Sequence, residues 1–237
     1  MSDRIDTDRR DASVTQTEID ALVVRIELTL ISIVQGVALS FLADQAHAVL
    51  VSGPFSSWPY VVTGQLIILL FWSRSLIHTL TVIRWPLEFG HNFLYIACTL
   101  VETVTFTQPT QPLRWYALNV LFGLTIWAVF TLDLRMIRRR MRDSAGPTGS
   151  QLYAMVTREQ GVNVKVWMPA TVVCNLLAAV AVYRWPGALI DAGGHVIMAV
   201  GQLTAALGYL CYVMRFFTRI RPLIVTTRRE WRDDVLP

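Results

Sequence analysis

Apolar and polar residues segregate along this chain into six apolar stretches separated by short polar ones, at about 21 to 43, 60 to 80, 89 to 107, 114 to 134, 166 to 183 and 189 to 214. Each is close to the ~20 residues an α-helix needs to cross a ~30 Å hydrocarbon core. The pattern predicts an all-α, polytopic integral membrane protein with six transmembrane helices, four within residues 21–134 and two within 166–215. The first and last stretches are the longest and can tilt or project beyond the bilayer. Residues 1–20 are polar, with Asp3, Arg4, Asp6, Asp8, Arg9, Arg10 and Asp11, and read as a cytoplasmic segment, not a signal peptide. The first span is then its own insertion signal.

Local chemistry marks the ends. Thr15 and Glu18 make a capping box ahead of the first run. Ser52, Gly53 and Pro54 stop whatever helix extends past it, Trp58 and Tyr60 then supply an aromatic belt, and Trp85 with Pro86, Trp115 with Tyr116 and Trp185 with Pro186 mark three further ends. Pro169 falls in the first turn of the fifth span, where its missing N–H is tolerated.

Composition agrees. The chain is 54% hydrophobic and 16% charged, where soluble domains run near 45–50% and about 25%. Disorder requires the opposite balance, and three cysteines in 237 residues make no disulfide scaffold. The net charge of +4 does not indicate a nucleic-acid partner, because such a binder displays its basic groups on a soluble fold.

The distribution of charge sets an orientation. With the amino terminus inside, Arg114 and Arg184 are the only two of the 21 Lys and Arg residues left outside. The positive-inside rule then puts both termini and the 135–165 loop in the cytoplasm, in a multi-pass protein of the cell inner (plasma) membrane. That loop carries Arg138, Arg139, Arg140 and Arg142, a break at Gly146, Pro147 and Gly149, and a short helix from Gln151 to Gln160. The helical spacing of Leu152, Met155, Val156 and Glu159 lets this helix lie on the membrane surface. The basic run, and the basic tail 216–237, suit anionic headgroups or a cytoplasmic partner.

Arg-Trp-Pro occurs at Arg84 to Pro86 and at Arg184 to Pro186, equivalent places in two inverted three-helix units. The triplet also suits any helix end, since Arg snorkels, Trp anchors and Pro terminates. Small residues recur at Ser32, Gly36 and Ser40 and at Gly201, Ala205 and Gly208, which predicts close helix contacts within or between subunits of a homo-oligomer.

Ionisable groups inside spans cost several kcal/mol each and by default mark function. An inner cluster contains Glu27, Arg74, His78, Glu88 and His91, with Glu27 and Arg74 both at a depth of roughly 9 Å and able to meet. An outer cluster contains Gln65, Glu102, Asp191 and His195. A Glu102–His195 pair would respond to pH near the ordinary imidazole pKa of about 6.5, whereas snorkelling to headgroups needs no pair. Gln35, Asn175 and Gln202 lie nearest the midplane, as interhelical hydrogen-bond glue or the lining of a path. No carboxylate falls at the centre by this depth count, which argues against a carrier built round a central acid and for a channel or a carrier of neutral solute.

The chain has no Gly-x-Ser-x-Gly, phosphate loop, His-Glu-x-x-His or Cys-x-x-Cys, so no catalytic residue and no enzymatic activity is assigned. No cofactor or metal is expected; His78 and His91 share a depth but lack further ligands. Cys98, Cys174 and Cys211 stand singly in three spans and read as buried thiols. The expectation is a small ion or solute channel or transporter. The alternative is a membrane-embedded interaction or effector subunit working through its basic loop and tails.

Overall fold

All regular structure among the described residues is helical. The computed structural model describes residues 25–26, 29–30, 32–49, 51, 53–81, 89–143 and 147–233. Glu27, Glu88, the first Arg-Trp-Pro triplet and the polar segment 1–20 lie outside the described residues, as do the side chains of His78, Arg140 and Arg142. The helices are α1 (residues 32–49), α2 (Trp58–Thr81), α3 (Phe89–Phe106), α4 (Pro112–Asp143), α5 (Pro147–Val162), α6 (Met168–Arg184) and α7 (Gly194–Asp233).

Four segments among the described residues are long and apolar enough to cross a membrane: Phe55–Ser75, Pro112–Arg139, Ser150–Arg184 and Gly194–Thr227. Within α3 the described apolar stretch is Phe93–Phe106. Large apolar side chains on the outside of α6 and α7, among them Leu177, Tyr183, Ile197 and Met214, face away from the bundle, as lipid contact requires.

The region expected as a loop is largely helix. α4 continues through the basic run to Asp143, and α5 passes through a π-helical turn, Asn163–Trp167, straight into α6. Pro169 explains the wide turn. A proline inside a helix lacks its N–H and collides with the carbonyl four residues back, and a widened turn relieves that clash without ending the helix. α5 does not rest on a surface by an apolar stripe. Its Leu152, Tyr153 and Val156 are buried with Ile137 of α4 and Ile220 of α7.

α4 packs against α3, α5 and α6, while α7 packs against α2 and α5. α6 turns into α7 through a π-helical turn, Gly187–Asp191, and Gly193, whose φ of 75° is in the left-handed region that favours glycine. The core forms layers along the bundle. Leu42, Tyr60, Phe106, Trp115 and Val182 fill the end where the α3–α4 and α6–α7 turns lie. Phe71, Tyr95, Phe122, Phe130 and Met168 fill the middle, and the α5 cluster fills the basic end.

Two expectations are corrected by this packing. Gly36, Gly201 and Gly208 face open space, and Ser32, Ser40 and Ala205 are exposed, so among the described residues neither small-residue stripe makes the close contact expected within the chain. Cys98 is buried, but Cys174 and Cys211 are exposed on outer helix faces.

Candidate functional site

An arginine inside an apolar helix such as α2 needs its charge matched and most of its donors occupied; among the donors of Arg74, the buried Nε has no partner among the described residues. Arg74 is 6% exposed, and its guanidinium donates to both carboxylate oxygens of Glu159, at 2.7 and 3.0 Å. The same group donates to Gln160 Oε1 at 2.8 Å and lies 5.0 Å from the centre of the Phe130 ring. A planar fork on a planar carboxylate is the strongest geometry available to such a pair. Gln160 in turn donates to the Phe130 carbonyl at 3.1 Å.

The π-helical turn extends this network. Asn163, which begins it, donates to Glu159 Oε1 at 2.7 Å and accepts from the Tyr209 hydroxyl at 3.1 Å. Glu159, Gln160 and Asn163 are all buried, and they connect α2, α4 and α7 through one short piece of chain. On the neighbouring helix pair, His91 Nε2 and the buried Asp133 Oδ1 stand 2.8 Å apart.

Between α1 and α3, Gln35 donates to Glu102 Oε2 at 3.1 Å, with the Tyr95 hydroxyl and Thr99 Oγ1 at 3.4 and 3.5 Å. Glu102 is fully buried and Gln35 is 3% exposed. Glu102 Oε1 and Gln35 Oε1 are both buried, and no side-chain or backbone group among the described residues bonds to either. Glu102 makes no ion pair among the described residues.

A third set ties α4, α6 and α7. Trp115 Nε1 donates to Gln202 Oε1 at 2.8 Å, Gln202 Nε2 to Asn175 Oδ1 at 2.9 Å, and Asn175 Nδ2 to the Thr171 carbonyl at 2.8 Å. Nearby, the Tyr60 hydroxyl lies 3.0 Å from His195 Nδ1 and 3.2 Å from the His195 carbonyl.

The anticipated residues are therefore regrouped. Arg74 meets Glu159 of α5, and His91 meets Asp133, whose charge also acts on Arg74. Glu102 and His195 do not pair: Glu102 takes Gln35, His195 takes Tyr60, and full burial excludes snorkelling by Glu102. Gln65 is half-buried and joins none of these sets, and Asp191 is exposed. Asn175 and Gln202 bond each other across α6 and α7, while Gln35 belongs with Glu102. Arg138 and Arg139 are exposed at the basic end.

Depth counting missed Glu159, Gln160, Asn163 and Asp133. Asp133 carried a legible signal, being an acid at the end of an apolar run opposite His91. Glu159 did not, because nothing local shows that its segment folds into the bundle. Tyr60, read as a belt residue, is 1% exposed and packs edge-on to Trp115 in the core. Among the described residues no three His, Cys, Asp or Glu side chains gather to hold a metal. Compared with family models, curated proteins and solved structures, the chain matches none.

Proposed function

We propose that this chain is a six-span membrane protein that moves a small ion or solute, with both termini on the cytoplasmic side. The observation that carries the reading is Glu102, a fully buried carboxyl inside an apolar helix with one oxygen left unbonded. A structural acid is held by a cation or saturated with donors, as Glu159 is here. An acid left short of partners is costly and is retained where it handles a charged species. The described part of α1 and the whole of α3 are each about 27 Å long at 1.5 Å per residue, which supports counting both with the four longer segments as spans.

The test is flux through purified protein in liposomes, across a panel of small cations, anions and protons. Glu102→Gln should reduce the rate at least tenfold while leaving incorporation unchanged. Silence of the wild-type protein across the panel would overturn the transport reading.

A second reading is favoured by the basic end. α7 runs on as helix to Asp233, about 60 Å in all, and Arg215, Arg219 and Arg221 are exposed at the end of the bundle where Ile137 packs with Ile220, as are Arg138 and Arg139. This suits a subunit that holds anionic headgroups or an acidic cytoplasmic partner. Loss of activity on neutralising those arginines, with the spans intact and no flux at any stage, would select it.

A further inference from the structure

Gln35 and Glu102 present a mismatch of donors and acceptors. A primary amide offers two N–H donors and one oxygen, and an ionised carboxylate offers only acceptors. Once the amide N–H is on Glu102 Oε2, amide Oε1 and carboxyl Oε1 remain as two acceptors of the same pair of groups, both buried and both unbonded. Two acceptors cannot satisfy each other, but one proton between them can. Turning the amide over does not remove the requirement, because its oxygen would then stand against Glu102 Oε2.

We propose that the Gln35–Glu102 pair is a proton-binding site, in which Glu102 takes a proton from water to become the neutral acid and its O–H donates to Gln35 Oε1. This closes a two-bond acid–amide ring between α1 and α3. The use of that proton in transport rests on the preceding reading, but its presence on Glu102 does not.

Three observations favour a proton over a metal cation. The amide nitrogen of Gln35 already faces Glu102 Oε2, Tyr95 Oη and Thr99 Oγ1, the place an ion would need among those oxygens. Ca2+ and Mg2+ take six or more oxygen ligands, which this pair and its neighbours do not supply. No salt bridge offsets an ionised Glu102 among the described residues. Among the described residues the groups facing the site are Gln35 from α1 and Tyr95, Cys98 and Thr99 from α3, with Ser75 of α2 bonded to Tyr95 and Thr125 of α4 closing off the Cys98 thiol at 3.4 Å. Tyr95 and Cys98 are the titratable ones, and both are uncharged in their protonated forms.

The experiment is infrared spectroscopy of the full chain in lipid nanodiscs, recorded through a pH titration with and without sodium. At neutral pH the wild-type protein should show a carboxylic-acid C=O band that Glu102→Gln removes. Gln35→Leu should shift that band upward, because the acid loses its amide partner. If Glu102→Gln does not fold, the upward shift in Gln35→Leu, followed on 13C-glutamate-labelled protein, decides the matter alone. A spectrum without the band overturns the proposal and indicates a carboxylate, held for example by a water donating to both oxygens. Loss of the band on adding sodium at fixed pH overturns it in favour of a cation site. A protein with the band but silent in liposomes would lose the transport reading and keep the proton site; flux without the band would do the reverse.

Discussion

Arg74 on α2 and Glu159 on α5 form a bidentate ion pair, with nitrogen–oxygen distances of 2.7 and 3.0 Å, between segments 85 residues apart in the chain. The pair docks the end of the α5–α6 rod against the bundle. Without it α5 would meet α2 with an unmatched charge.

Removing one partner should therefore cost more than removing both. Arg74→Met takes the guanidinium away from a buried carboxylate and should destabilise the protein by about 3–5 kcal/mol, the usual cost of removing one partner of a buried ion pair. Arg74→Met with Glu159→Met should recover part of that loss. Chemical denaturation in detergent measures both, and strictly additive costs would show that the two residues are not coupled.

The chain from Trp115 through Gln202 to Asn175 predicts a smaller effect. Gln202→Leu deprives Trp115 Nε1 and Asn175 Oδ1 of their partners and should cost about 0.6–2 kcal/mol, the range of hydrogen bonds between helices in a membrane. In the Trp115→Phe background the loss should shrink, and thermal melts of the four proteins give the coupling.

Glycines on inner and outer faces should respond oppositely to a large side chain. A Cβ on Gly64 would stand 3.1 Å from Leu42 and 3.2 Å from Phe106, where α1, α2 and α3 converge. Gly64→Leu should overpack that junction at a cost of about 1–3 kcal/mol or more. Gly201 meets nothing within 4 Å, so Gly201→Leu should leave the monomer at least as stable, with a helix-propensity gain of up to about 1 kcal/mol. A stability loss at Gly201 in the protein's oligomeric form, absent in its dissociated form, would identify the α7 stripe as a contact between copies.

Orientation is open to a direct check. A reporter fused after Gly146 should read as cytoplasmic and one fused after Gln108 as external, as the positive-inside rule predicts from the distribution of Lys and Arg. The reverse assignment would invert the proposed topology and put the basic ends of α4 and α7 outside.

The sequence by itself determined the class of protein and the approximate places of its helices. Runs of about twenty apolar residues have no stable home in water, and a backbone in lipid must satisfy its own hydrogen bonds, so length and composition are enough to predict membrane helices. Depth along a helix was also legible, and it singled out Glu27, Arg74, Glu102 and His195 as groups at intermediate depth; the last three have polar partners in the structure, and Glu27 lies outside the described residues. Their partners were decided only by the tertiary structure. Depth leaves open which face of a helix a side chain occupies and which neighbour that face meets. Arg74 found Glu159 because α5 continues through a π-helical turn into α6 and folds inward, and a short polar-looking segment does not announce that. Glu102 lies opposite Gln35 rather than His195 because α3 meets α1 on that face, and this contact turns an acid expected to reach headgroups into one sealed inside the bundle.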